Sequence, residues 1–138
     1  MVPIQGLNHM LGVTLKQETQ VPQWYVGLFE GDYTPTPDVT AQTLPGLATE
    51  CTAYTQSARV PLVTGAVAAG AVSNANNLAE FNFDSSRTVR GAFIVSAPTK
   101  GATTGVLLAV VRFPSPRVMA ADSVLRVFAG PTGVSISS

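Results

Sequence analysis

Residues 78–84 read Leu78-Ala-Glu-Phe-Asn-Phe-Asp84, and this stretch alternates between apolar and polar side chains. Ala79, Phe81 and Phe83 fall on one side, whereas Glu80, Asn82 and Asp84 fall on the other. Successive side chains of a β-strand point to opposite faces, so a period of two indicates a strand with one buried face. We therefore predict a half-buried strand here, followed by a turn at residues 84–87.

Short apolar stretches separated by turn residues recur along the rest of the chain, which has 12 Gly and 10 Pro among its 138 residues. No long helical periodicity interrupts them, and such spacing is typical of an antiparallel β-sandwich or jelly roll. We predict about seven to eight strands in a single domain over residues 21–138, preceded by an N-terminal arm at residues 1–20. The further candidate strands are residues 23–29, 59–63, 88–96, 106–113, 124–128 and 133–138, while residues 47–54 form either a helical turn or a strand. Pro98 and Gly101, and then Pro114 and Pro116, are predicted to separate the middle strands.

The aromatic residues are predicted to lie in the core. Residues 23–29 are apolar on both faces of a strand, which is typical of a strand in the middle of a covered sheet. Trp24, Phe81, Phe83 and Phe93 are the core aromatics expected from this pattern.

The first 16 residues carry a weak apolar face before the first confident strand. Residues 5–15 could form a short helix or an extended arm, and we favour an arm with a short helical turn. A terminus is usually disordered unless it docks on something, so we expect the arm to contact neighbouring subunits rather than this domain's own core. The candidate apolar contacts are Ile4, Leu7, Met10 and Leu11.

Charge is sparse and unevenly distributed. Charged residues make up 12% of the chain, about half the roughly 25% usual in soluble domains. Interface cores are similarly depleted in charge, which favours a protein that packs against other protein. Residues 1–84 hold two cations and seven carboxylates, a net charge of −5, whereas residues 85–138 hold six cations and one carboxylate, a net charge of +5.

Two explanations of this asymmetry remain open. The charges of the two halves could pair within one chain, or complementary charged patches could join one copy of the chain to the next. In the second case the candidate interface residues are Arg87, Arg90, Arg112, Arg117 and Arg126. Direct binding of nucleic acid is not expected, because a chain with zero net charge lacks the electrostatic attraction that supplies non-specific affinity.

Residues that could carry chemistry are few. His9 is the only histidine and is expected to be an exposed or partly packed residue, and Cys51 is the only cysteine and is expected to be a buried thiol. Asp32 and Asp38 flank a proline-rich loop that lacks the ligand spacing of a calcium loop. We therefore expect no catalytic residues, no metal and no cofactor. Neither a secretory signal nor a membrane span is expected, because the longest apolar runs are far shorter than the roughly 20 residues that a bilayer requires.

Several short motifs follow one another in an order that resembles a known family. These motifs are Leu7-Asn-His-Met10, Gln23-Trp-Tyr-Val-Gly-Leu28, Tyr33-Thr-Pro-Thr-Pro37, Thr88-Val-Arg-Gly-Ala-Phe93 and Thr99-Lys-Gly-Ala-Thr-Thr-Gly105. Their order covers most of the chain and is similar to that of small tailed-bacteriophage virion proteins, in particular the capsid decoration or cement proteins.

The resemblance implies a β-sandwich or jelly roll that binds the outside of an icosahedral head and cements neighbouring major capsid subunits. The implied protein is made in the host cytoplasm, forms homo-oligomers and ends up on the capsid surface of the virion. Two other functions stay open: a tail- or fibre-associated structural protein of the same phages, and a carbohydrate-binding module or small hydrolase.

Overall fold

The computed structural model describes residues 1–130, which are mostly β-structure in two antiparallel sheets with two helices. This arrangement agrees with the all-β class predicted above. The predicted strand at residues 133–138 lies outside the described residues. In chain order the elements are α1 (Ile4–Leu15), β1 (Tyr25–Phe29), α2 (Leu44–Ala48), β2 (Glu50–Cys51), β3 (Val60–Pro61), β4 (Ala79–Asn82), β5 (Arg87–Val95), β6 (Leu107–Met119) and β7 (Val124–Val127).

The larger sheet has the order β2-β1-β5-β6, and β3 also pairs with β1. Strand β1 lies inside this sheet, as its two apolar faces predicted, and its last four residues are buried. Gly27 of β1 pairs with Phe93 of β5, and a side chain at Gly27 would collide with the Phe93 ring. The absence of a side chain at Gly27 is therefore what allows the Phe93 ring to lie over β1.

The smaller sheet consists of β4 and β7, and it shares a core with the larger sheet. Ala79, Phe81 and Phe83 are buried while Glu80 and Asn82 are exposed, which confirms the alternation predicted for residues 78–84. The members of this shared core include Val26, Leu28, Val89, Ala92, Ile94 and Phe113 from the larger sheet and Phe81, Leu125 and Val127 from the smaller one.

A second apolar cluster covers the opposite face of the larger sheet. Phe29, Phe93 and Leu107 contribute side chains from the sheet, and Val39 and Leu44 cover them from the segment that contains α2. Phe93 is therefore buried as predicted, although in this second cluster. Trp24 differs from the prediction, because it is only partly buried at the margin of the shared core.

Strand β6 continues through Pro114 and Pro116, where the sequence predicted a separation between strands. Val89 of β5 pairs with Arg117, but Gly91 pairs with Arg112, so the register shifts across the prolines. Proline cannot donate a ladder hydrogen bond, and in sheets it is confined to edges and bulges. The irregular pairing at the outer strand of this sheet accommodates both prolines without ending the strand.

Candidate protein-contact surface

The N-terminal segment forms a helix of 12 residues, α1, where we favoured an arm with a short helical turn. Pro3 precedes the helix in an extended conformation, and its carbonyl oxygen accepts a hydrogen bond from Leu7 N at 3.0 Å. The helix ends at Leu15, because Gln17 adopts a left-handed conformation with φ of 57°. Glu18 N then donates to the Gly12 carbonyl at 3.1 Å, which satisfies a group near the end of the helix.

Helix α1 is docked on the outer strand of the larger sheet. Gly6 faces the backbone carbonyls of Leu107 and Leu108 so closely that a Cβ atom at this position would collide with them. The Gln5 Oε1 atom accepts hydrogen bonds from Leu107 N at 2.8 Å and from Ala41 N at 2.9 Å. Small and polar residues therefore hold α1 in place, and they bring its backbone close to β6.

Met1 adds a pair of backbone contacts beside the helix. Its amino group donates to the Val110 carbonyl at 3.0 Å, and its carbonyl oxygen accepts from Val110 N at 2.9 Å. Ile4 N donates to the Pro37 carbonyl at 2.8 Å. The start of α1 is thus fastened both to β6 and to the segment between β1 and α2.

The opposite side of α1 carries four large aliphatic side chains, Ile4, Leu7, Leu11 and Leu15, which we call the α1 face. Steps of three and four residues place all four on one side of a helix. Their exposed fractions run from 44% for Leu7 to 70% for Leu15. Contiguous exposed apolar surface of this kind marks a site of interaction with protein, membrane or ligand.

Three of the four predicted apolar contact residues, Ile4, Leu7 and Leu11, belong to the α1 face. Met10 is also exposed, at 46%, but it lies to one side and lines a groove beside the helix. The prediction missed Leu15, although its position four residues after Leu11 was a readable signal. Reading residues 5–15 as one uninterrupted helix would have found it.

The predicted interface arginines mostly pair within the chain. Arg112 lies 2.6 Å from Asp32, Arg126 lies 3.3 Å from Glu80, and Arg87 lies 3.5 Å from Glu30. Each of these ion pairs joins a cation of residues 85–138 to a carboxylate of residues 1–84. The pairs are those expected if the two halves neutralise each other within one chain.

The other two predicted arginines differ from these three. Arg90 donates from its Nη1 atom to the Glu30 carbonyl oxygen at 2.6 Å and is partly buried. Arg117 is exposed and forms no ion pair within residues 1–130. Whether either residue contacts another protein stays a prediction.

A buried ion pair joins Arg59 to Glu50, and no local pattern in the sequence predicts it. The two side chains are 1% and 3% exposed, and two hydrogen bonds of 2.8 and 2.6 Å connect the guanidinium to the carboxylate. Arg59 also donates to the carbonyls of Ala97 and Ala102, and it lies 5.3 Å from the centre of the Phe93 ring. This network ties the β5–β6 connection to β2 and β3.

The two residues with chemical potential lie in packed surroundings. Cys51 is buried as predicted, and burial raises the pKa of its thiol from 9.0 to about 11. Because the thiolate is the nucleophilic form, this thiol is unreactive near neutral pH. His9 is partly buried, and its ring lies edge-on to Trp24 with 5.5 Å between the ring centres.

Residues 1–130 contain no group of three or more His, Cys, Asp or Glu side chains placed to hold a metal ion. In the same part of the chain, no helix has both the length and the apolar character needed to cross a bilayer. No protein-family model matches the chain, and no curated protein matches it.

Proposed function

We propose that this chain is a structural protein of a tailed-phage virion that binds the outside of the capsid and cements neighbouring major capsid subunits. The role is structural rather than catalytic, and several copies act on each particle. The observation that carries the proposal is the α1 face, four exposed aliphatic side chains on a helix that is itself fastened to the sheet. The order of sequence motifs supports the choice of a phage capsid as the partner.

The docked state of α1 makes the α1 face suitable for binding. Hydrogen bonds donated by Met1 and Ile4 and accepted by Gln5 fix the helix before any partner arrives, so binding would order few additional groups. Pre-organisation of this kind improves affinity, because the entropic cost of ordering a contact surface opposes association. On a capsid, many modest contacts repeated by symmetry give strong overall attachment.

The two sheets support a β-sandwich as the finer description of the fold. They enclose a shared core, and the alternation of buried and exposed residues in β4 places one face of the smaller sheet against that core. A sandwich of this kind would present α1 at the edge of its larger sheet, beside the outer strand β6.

Substitutions on the α1 face test the proposal. We expect Leu7→Gln combined with Leu11→Gln to reduce binding to heads assembled without this chain by at least about tenfold, because two apolar anchors are lost. Glutamine is a good helix former, so the helix should persist. Leu47→Gln combined with Val118→Gln is the matched control, since both are exposed aliphatic side chains, at 59% and 78%, that lie outside α1.

Cosedimentation with heads measures the binding of each variant, and thermal unfolding measures its stability. The proposal predicts lost binding with unchanged unfolding for the leucine variant and no change for the control. Wild-type binding by the leucine variant would contradict it. Binding to purified tails, rather than heads, would favour the tail- or fibre-associated alternative.

A carbohydrate-binding function is the second candidate, and Trp24 is the observation that favours it. Its partly buried side chain lines a cleft of about 290 Å³, which the polar residues His9, Thr14 and Gln20 and the apolar residues Met10, Val13 and Leu108 also line. Aromatic faces flanked by polar groups can stack on sugars. A glycan array would test this function, and loss of any glycan signal in Trp24→Ala would locate the site.

A further inference from the structure

Residues 65–73 form a hairpin in the connection between β3 and β4. Ala68 and Ala71 exchange two backbone hydrogen bonds of 2.9 Å, and Gly65 N donates to the Ser73 carbonyl oxygen at 2.9 Å. Within residues 1–130, the backbone groups of this hairpin form no hydrogen bond to any other part of the chain. Residues 63–70 are all exposed. The hairpin therefore links β3 to β4 without contributing backbone hydrogen bonds to either sheet.

The parts of the chain on either side of the hairpin tip build the fold jointly. We call residues 1–68 the N-fragment and residues 69–138 the C-fragment. All five residues of β1, in the N-fragment, pair with β5 of the C-fragment. Leu28 belongs to the same core as Phe81, and Phe29 belongs to the same apolar cluster as Phe93. Each of the two apolar clusters is thus assembled from both fragments.

Polar contacts cross between the fragments as well. Lys100 Nζ of the C-fragment donates to the Tyr54 carbonyl oxygen at 2.8 Å and lies 4.0 Å from the centre of the Tyr54 ring. Arg112 of the C-fragment lies 2.6 Å from Asp32 of the N-fragment. In the opposite direction, the buried guanidinium of Arg59 donates to two carbonyl oxygens of the β5–β6 connection. The contact between the fragments therefore combines a strand pairing, two shared apolar clusters and several charged donors.

The two fragments also carry opposite net charges. The N-fragment has two cations and five carboxylates, a net charge of −3, whereas the C-fragment has six cations and three carboxylates, a net charge of +3. Opposite charges on two surfaces accelerate their encounter and favour the correct pairing. The uneven distribution of charge along the sequence thus matches the division of the chain at the hairpin.

We propose that the N-fragment and the C-fragment are complementary binding partners, which stay together as one folded particle when the hairpin is cut and reassemble after separation. Hydrolysis of one peptide bond in the hairpin consumes a water molecule and leaves a carboxylate on one fragment and an ammonium group on the other. None of the contacts described above is lost in this step. Exposed loop tips with small residues are the usual sites of cleavage. This inference does not depend on the capsid-binding proposal.

The first experiment cuts the folded full-length chain with elastase, whose small specificity pocket accepts side chains such as those of Val67 and Ala68. We expect mass spectrometry to place the first cut within residues 65–73. The two fragments should then elute together in size-exclusion chromatography, with the circular-dichroism spectrum of the uncut chain. A first cut outside the hairpin, or separation of the fragments without denaturant, would overturn the proposal.

The second experiment tests reassembly. The cut protein is unfolded in urea, the fragments are separated, and they are then mixed without urea, with each fragment alone as the control. We expect only the mixture to recover the spectrum of the uncut chain. Its association rate constant should fall by at least about threefold between 0.05 and 0.5 M NaCl, because salt screens the opposite charges. No recovery in the mixture, or full recovery by one fragment alone, would overturn the pairing, and a rate independent of salt would overturn the role assigned to charge.

Discussion

At the scale of single residues, Arg59 and Glu50 form the most deeply buried ion pair within residues 1–130. Burying two charges is costly, and the cost is met here because the donors and acceptors find partners. Gly101 N donates to Glu50 Oε1 at 3.0 Å, in addition to the bonds from Arg59. Removing one partner would leave the other charge buried and unpaired, which is far more destabilising than the loss of an exposed pair.

We predict that Arg59→Met lowers the free energy of unfolding by about 3–5 kcal/mol. Arg126→Met is the matched control, because Arg126 pairs with Glu80 at the surface, where both side chains are about half exposed. An exposed pair of this kind contributes less than about 1 kcal/mol. Denaturant unfolding of both variants measures the two changes, and similar losses would contradict the buried pair.

Cys51 gives a prediction about pH. In the unfolded chain its thiol ionises near pH 9.0, whereas in the folded protein burial raises the pKa to about 11. The folded state therefore keeps the proton in this interval, and the stability contributed by the neutral thiol is complete below pH 9 and lost as pH rises towards 11. Relative to Cys51→Ala, the wild-type protein should lose about 2–3 kcal/mol between these pH values.

Chemical denaturation of the two proteins at pH 8, 9, 10 and 11 provides the measurement. Burial is the main cause of the raised pKa of Tyr54, and this part of the effect is common to both proteins and cancels. The smaller contribution from the charge of an ionised Cys51 adds to the difference between them. If the free energy of unfolding changed with pH in the same way for both proteins, the Cys51 thiol would not be shielded from water.

At the scale of elements, α1 reverses the usual pattern of a surface helix. Such a helix normally turns its aliphatic side chains to the core. Here Gly6 and Gln5 contact β6 while the α1 face points outward. The inner side of α1 thus approaches a strand closely, whereas the large side chains of its outer side are exposed among residues 1–130.

Close approach at Gly6 leads to a prediction on stability. Gly6→Ala should destabilise the protein by about 1–3 kcal/mol, because the new methyl group would collide with the carbonyls of Leu107 and Leu108. Gly46→Ala in α2 is the matched control, since a Cβ atom there meets nothing within 4 Å. That substitution should be neutral or stabilising by up to about 1 kcal/mol, because alanine favours the helix.

Thermal or denaturant unfolding of the two alanine variants checks this. A Gly6→Ala protein as stable as Gly46→Ala would show that α1 does not lie against β6 as described.

The elements that the sequence predicted well are those whose burial repeats with a simple period. β4 follows from the alternation around Phe81, and β1 follows from a short run that is apolar on both faces. β6 was predicted too short, because prolines such as Pro114 and Pro116 normally end a strand. Only the pairing of β6 with β5 shows that both prolines lie in an irregular stretch of one continuous strand. The α1 face was mostly found, since three of its members are large apolar residues before the first strand.

Other features depend on contacts between distant parts of the chain. The Arg59–Glu50 pair joins two residues that show no local pattern, and their burial follows from packing against the β5–β6 connection. The side of α1 that docks could not be predicted either, because Gly6 and Gln5 have no apolar character. Their role depends on the carbonyl and N–H groups of Leu107 and Leu108, which sequence periodicity does not reveal.

At the scale of the whole molecule, the opposite charges of the two halves meet within the chain. Three cross-half pairs, at Arg87, Arg112 and Arg126, neutralise charge that could otherwise attract a partner. The α1 face, by contrast, has no charged member. We therefore expect binding to the capsid to depend mainly on apolar contact.

A salt titration of head binding distinguishes the two contributions. We predict that affinity stays flat or rises between about 0.05 and 0.5 M NaCl, because salt screens charges and does not weaken apolar burial. A steep loss of affinity over this range would instead assign the binding to arginines such as Arg117. Charge reversal at the responsible arginine, with rescue by reversal of its partner, would then identify the contact.

The most direct test of the capsid-binding proposal is a cryo-electron microscopy reconstruction of the intact virion at side-chain resolution. We predict density for this chain on the outside of the head, with Ile4, Leu7, Leu11 and Leu15 buried against major capsid subunits. Density for the chain in the tail, or on the head with the α1 face open to solvent, would contradict the account.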